Sequence, residues 1–434
     1  MEARSEAFEI SHVRGLYALD SRGNPTVRVI VRTRGGGKGS AIAPSGASKG
    51  SREAVELRDG GRRWKGMGVS KALALIEEEI APRLRGVDSR LQEEVDRLLI
   101  LADGTRDKSR LGANSLVATS IAVSKAAADT AGIPLYRYLG GVSANVMPVP
   151  LLNVINGGLH AGNRLDFQEF MIIPVGADSF IEAMRMASEV YQELKGILKK
   201  EYGPASVNVG DEGGFAPPMD RVEEALGMLE KAVKGAGYSL GGDFLLGIDV
   251  AASQLYDPQT GSYRVEDRML GSGELVDLYS ELVDRYDLAY IEDPFEENDL
   301  EGFAALTAKV RGRALVSGDD LYVTNPAYLE EGIKRRATTA AIAKVNQVGT
   351  LTEAVEFIAR ALQNGVRVVV SHRSGDSEDP FIADLAVAMR TGLIKSGAPS
   401  RGERTAKYNR LIEVEEELGA TVSYPGKKAL LPPG

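Results

Sequence analysis

The chain has 434 residues, 43% of them hydrophobic and 26% charged, which is ample for two packed domains and leaves no long stretch destined for disorder. A formal net charge of −9 argues against a nucleic-acid scaffold, which would carry a basic face. The absence of cysteine excludes disulfides, thiol catalysis and thiolate metal sites. The first thirty residues hold Glu2, Glu6, Glu9 and Asp20 with no apolar signal core, and no run approaches bilayer-spanning length. A cytoplasmic location, with no membrane or nucleic-acid partner, is the expectation.

In chain order, Phe8–Leu19, Thr26–Thr33 and Gly39–Ala43 read as strands, with Gly35-Gly36-Gly37 turning the second into the third. Helical periodicity follows over Ser70–Arg85, Asp88–Leu101 and Ala113–Ala131, and Gly132-Ile133-Pro134 stops the last of these. From about Val142 short apolar runs alternate with amphipathic segments. The strands are Phe244–Ile248, Leu288–Ile291, Ala314–Val316, Ala340–Ala343 and Val366–Val370. The helices are Glu274–Tyr286, Leu300–Arg311, Pro326–Arg336 and Leu351–Asn364. This alternation predicts an α/β protein with a parallel sheet. Its length and near-continuous apolar strands favour a closed (β/α)8-type barrel, slightly irregular at its start over Val146–Pro174. The expected division is a smaller α+β capping domain over residues 1–140 and a catalytic barrel over residues 141–434.

Ionisable residues follow the strands one after another: Asp249, Glu292 with Asp293, Asp319 with Asp320, Lys344, His372 with Arg373, and Lys395. Consecutive strand ends lie more than twenty positions apart, so each group can sit on its own strand and face one barrel mouth. A single acid after a strand is ordinarily a helix cap or a solvated loop residue. Six strand ends in a row with ionisable groups are not explained that way. Asp249, Glu292 and Asp319 are hard oxygen donors suited to magnesium or manganese, and they leave half an octahedron for substrate and water. Beside such cations and each other, Lys344 and Lys395 are pushed towards the neutral form that acts as a base. Two glycine-bounded loops, Asn156–Asn163 and Gly210–Gly214, bring further acid–base candidates in His160, Glu212 and, just beyond the first, Glu169. His12, in the first strand, reads as structural.

Two tempting signals fail. Gly35–Ser40 lacks the Ser or Thr directly after Lys38 that a phosphate loop requires, and no GxGxxG follows a strand.

The chain resembles the enolase family over essentially its whole length. The resemblance is carried by Ser21–Val27, Pro44–Ser48, Asn156–Asn163, Gln168-Glu169-Phe170, Gly210–Gly214, Ile291–Pro294, Gly318-Asp319-Asp320, Lys344–Gln347 and Ser371–Gly375. It implies a magnesium-dependent lyase interconverting 2-phosphoglycerate and phosphoenolpyruvate. By the same resemblance Asp249, Glu292 and Asp319 hold a first magnesium. Ser48, on a mobile loop, joins a second that arrives with substrate. Lys344 takes the proton from carbon two, and Glu212, assisted by Glu169, protonates the departing hydroxyl. His160, Gln168, Glu169, Lys344, His372, Arg373, Ser374 and Lys395 contact substrate, with Arg373 and Ser374 on its phosphate. Family members are dimers or larger, so a homo-oligomer is expected. Another acid-sugar dehydratase of the same superfamily would share the metal trio but lack the Glu169–Glu212 pair and the His372-Arg373-Ser374 group. A non-catalytic relative would show losses at Lys344 or Glu212, and neither is lost.

Overall fold

The computed structural model describes residues 6–47 and 50–431, with the side chain of His160 left out. Strands β1 (Ile10–Leu19), β2 (Pro25–Thr33) and β3 (Lys38–Ile42) form an antiparallel sheet in sequential order. The predicted glycine turn joins β2 to β3. Helix α1 (Gln92–Asp103) and the long helix α2 (Ala113–Ala131) follow, and α2 packs across β2 and β3. The segment read as one helix over Ser70–Arg85 is helical to Leu84 but widens into a π turn at Ile76–Ile80.

The α2–sheet contact explains a glycine. A Cβ on Gly39 would stand 1.8 Å from the carbonyl oxygen of Ala122 and 2.5 Å from the amide nitrogen of Ala126. Both are helix backbone and cannot rotate aside. Gly39→Ala is therefore expected to cost at least ~1–3 kcal/mol, the usual range for overpacking. A melting temperature several degrees below the parent would show it, and an unchanged value would mean the helix does not lie this close.

The second unit is a closed barrel. In chain order its strands are β4 (Val149–Asn156), β5 (Glu169–Pro174), β6 (Phe244–Asp249), then, after a three-stranded outlying sheet of β7–β9 (Tyr256–Asp257, Ser262–Val265, Arg268–Leu270), β10 (Leu288–Glu292), β11 (Leu315–Gly318), β12 (Ala340–Ala343), β13 (Arg367–Ser371) and β14 (Gly392–Lys395). β14 pairs with β4 and β6 with β10, which closes the ring. Side chains alternate as strand geometry requires. Val369, Ile342, Leu315 and Leu393 fill the barrel interior, while their neighbours Val368 and Val370 face the surrounding helices.

The expectation of a parallel sheet needs one correction. β5 runs antiparallel to both β4 and β6, whereas the remaining pairs are parallel. The β4–β5 connection carries no crossover helix, only a short helical turn at Gly158–His160. A direct return of this kind reverses strand direction. Helices α3 (Phe180–Tyr202) and α4 (Val222–Gly235) therefore both fall between β5 and β6. The later barrel helices are α5 (Ser272–Tyr286), α6 (Leu300–Lys309), α7 (Pro326–Arg335), α8 (Leu351–Gln363), α9 (Phe381–Ala388) and α10 (Gly402–Leu418).

Candidate active site

The reversal of β5 matters for the site. The carboxyl ends of β4 and β6 and the amino end of β5 share one rim, where Glu169 stands opposite both Asn156 and Asp249. Asp249 in turn stands opposite Glu292. Gln168, Glu169, Glu212, Asp249, Asp319, Lys344, His372, Arg373, Ser374 and Lys395 line one cavity of about 20 Å³, room for about one water. Glu292 joins the group through Lys395. Ser48 lies outside the described residues, as does the side chain of His160.

Lys395 is the centre of one cluster. Its Nζ donates to Asp249 Oδ2 at 2.9 Å and to both Glu292 oxygens at 3.0 Å, and lies 3.0 Å from Glu169 Oε2. Burial alone would discharge the amine, but Asp249, Glu169 and Glu292 keep it firmly protonated. The carboxylates outnumber it. Burial, followed by the charge of Asp249, pushes the Glu292 carboxyl up to about 8. Burial and the neighbouring Glu212 hold Glu169 well above the ordinary carboxyl range.

Lys344 forms the second cluster. Its Nζ donates to Asp319 Oδ2, and Gln347 Nε2 donates to Asp319 Oδ1 at 2.9 Å. Burial would raise the Asp319 carboxyl, but the Lys344 ammonium more than offsets it and the group stays below its usual range. For Lys344 burial favours the neutral amine, yet Asp319 outweighs it and raises its basicity. With protein groups alone, Lys344 is thus an ammonium rather than the neutral amine expected beside a divalent cation.

The third cluster faces Glu212. Asn153 Nδ2, from β4, donates to Glu212 Oε2 at 3.0 Å, and His372 Nε2 lies 3.5 Å from Glu212 Oε1. Burial lowers the His372 pKa well below its ordinary value. Next to it, Arg373 makes a two-pronged contact with Glu53, Nη1 to Oε2 at 2.9 Å and Nη2 to Oε1 at 3.1 Å. Ser374 Oγ accepts from the Ala47 amide at 2.6 Å. Ala47 and Glu53 therefore already touch the two residues expected to take a phosphate.

A divalent cation fits the chemistry of this donor set. Asp249 and Glu292 end β6 and β10, and Asp319 follows the adjacent β11; the three offer only oxygens and carry charge that the inward-folded lysines balance incompletely. Among the described residues the tightest acid group is a different one. Asp293, Asp319 and Asp320 bring carboxylate oxygens within 4.8 Å of one another. Asp293 spends both its oxygens on backbone, accepting from the amides of Asp319 at 2.8 Å and Asp320 at 2.9 Å. It holds the turn that aims Asp319, and Asp319 is common to both groupings. Sequence reading missed Asn153, Glu53 and this use of Asp293, because each depends on which loops meet across the rim.

An eight-stranded barrel with acids and lysines gathered at one rim, preceded by a small α+β unit, defines a barrel enzyme whose site is built from carboxylates and lysines. The family model for the enolase N-terminal domain matches residues 10–139, and that for the enolase C-terminal TIM barrel domain matches residues 144–432. Curated enolases agree over nearly the whole length. That of Aeropyrum pernix is 58% identical over 419 residues, covering 96% of each chain. The Pyrococcus furiosus enzyme is 53% identical, covering 97% of this chain and 98% of its own. The Methanocaldococcus jannaschii enzyme is 54% identical, covering 98% and 99%. The chain belongs to the enolase family.

Proposed function

We infer that this chain is a magnesium-dependent hydro-lyase of glycolysis and gluconeogenesis, interconverting 2-phosphoglycerate with phosphoenolpyruvate and water. The observation that carries the reading is the near full-length agreement with enolases, together with a lysine and an acid presented from distant parts of one rim. Lys344 follows β12, and Glu212 is held by Asn153 of β4, three strands away around an eight-stranded ring.

In the proposed division of labour, Lys344 removes the carbon-two proton and its electron pair becomes the new double bond. Hydroxide leaves carbon three with a proton from Glu212, which Glu169 assists. Lys395, His160 and Gln168 orient the substrate, with His372 beside them, and Arg373 and Ser374 take its phosphate. Asp249, Glu292 and Asp319 would hold magnesium, and Ser48 a second ion entering with substrate. The metal supplies the concentrated positive charge that makes a proton next to a carboxylate removable. Residues 1–140 form the capping domain in this reading and residues 141–434 the catalytic one.

The direct test follows the absorbance of phosphoenolpyruvate after 2-phosphoglycerate is added. Product is expected with magnesium, none with excess chelator, and full recovery when magnesium is restored. A folded chain that makes no product at saturating magnesium would overturn the assignment. Among the described residues no helix is long and apolar enough to cross a membrane. A cytoplasmic homo-oligomer is proposed, and light scattering on the purified chain would count its subunits.

A further inference from the structure

Arg404, the third residue of α10, is the bulkiest fully buried side chain among the described residues and is 0% exposed. An arginine buried so completely must satisfy its donors. Its Nη1 donates to His372 Nδ1 at 2.6 Å and to the Arg373 carbonyl at 2.6 Å. Its Nη2 donates to the Ser374 carbonyl at 2.6 Å and to the Asp211 carbonyl at 3.0 Å. Four hydrogens thus meet four acceptors on two loops, one carrying His372, Arg373 and Ser374, the other carrying Glu212. The fifth donor, Nε, makes no hydrogen bond among the described residues and lies 3.4 Å from Glu403 Oε1. Substrate has no access to Arg404, so whatever it does for the reaction it does through others.

The contact with His372 has one chemical reading. A guanidinium donates and never accepts. His372 Nδ1 must therefore carry the lone pair, and the ring proton must sit on Nε2, the nitrogen 3.5 Å from Glu212 Oε1. The backbone on the other side of the clamp is fixed too. The amide of Ala398 donates to the Glu212 carbonyl at 2.9 Å. Gly397, at φ +74°, packs so closely that a Cβ would lie 2.4 Å from that carbonyl oxygen and 3.1 Å from Arg404 Cδ.

We propose that Arg404 is a positioning residue for the proton-donating end of the site: it locks His372 in the Nε2–H tautomer facing Glu212 and ties the Glu212 loop to the phosphate-binding loop. For its kinetic part the proposal rests on the reading of Glu212 as the acid; its tautomer part does not. A lysine in its place is one compact donor with three hydrogens and cannot span four acceptors on two loops.

The chain has only three histidines, which makes the tautomer measurable. Nitrogen-15 spectra of histidine-labelled chain near neutral pH, with His12→Gln and His160→Gln to remove the other two rings in turn, isolate His372. An unprotonated Nδ1 with a protonated Nε2 is expected. An Nδ1–H form or an imidazolium overturns the proposal, whatever the role of Glu212. In Arg404→Lys, dehydration of 2-phosphoglycerate is expected to fall ~100-fold, the scale of a small misplacement at a reacting centre. Exchange of the carbon-two proton with solvent, which does not need the acid, is expected to change little by comparison. Equal loss of both activities, or loss of neither, counts against a positioning role. Should Arg404→Lys fail to fold, the spectrum of the unsubstituted ring still decides.

Discussion

Lys344→Ala is expected to abolish both dehydration of 2-phosphoglycerate and exchange of its carbon-two proton, each by roughly 10²–10⁴-fold, the contribution of a positioned general base. The lysine is largely but not fully buried, follows the apolar strand β12, and has Asp319 as its anionic partner. A base must reach the proton it takes, and no other amine among the described residues lining the cavity except Lys395 approaches the site. Lys395 is occupied by three carboxylates. Removing one member of a buried ion pair also costs stability, about 3–5 kcal/mol. The variant's circular dichroism and melting temperature must therefore accompany the kinetics. Loss of carbon-two deuterium to solvent at the parental rate, in a folded variant, would remove Lys344 from the role of base.

Glu212→Gln is expected to separate the two steps. Glutamine keeps the size of the side chain and its hydrogen bond to Asn153 but has no proton to give the leaving hydroxide. Dehydration should fall by roughly 10²–10⁴-fold, while exchange at carbon two persists because Lys344 and the residues proposed to hold magnesium and phosphate are untouched. Parallel measurement of product absorbance and isotope loss reads both. Equal decline of the two rates would place Glu212 outside the acid role and return it to binding.

Much of the architecture was legible in the residues because strand and helix periods differ so clearly after about Val142. The helix over Ala113–Ala131 has the bounds expected for it. The strand-end acids were legible because an apolar run broken by a charge marks a rim in any barrel. The direction of β5 was not: alternation of side chains is the same for a strand read either way, and only the missing crossover helix betrays the reversal. Glu169 was noticed as a loop neighbour, yet its place opposite Asp249 follows from that reversal. Glu53, Asn153 and Arg404 left no local signal. Each acts on a residue far away in the chain, and burial of a single charge inside a helix or loop is a tertiary fact. The state of Lys344 was expected from a cation's field, whereas the chain's own groups hold it protonated through Asp319. The two views join if magnesium takes Asp319 from the lysine.

If Arg373 takes the substrate's phosphate, as proposed, its contact with Glu53 gives ligand capture the character of an exchange. An incoming phosphate does not find a bare guanidinium. It must evict a carboxylate that is tethered nearby and so competes at an effective concentration on the millimolar scale. Glu53 also accepts from the Gly50 amide and from Gln347, the residue that steadies Asp319. Glu53 thereby links the Gly50 backbone and the floor of the site to the same guanidinium.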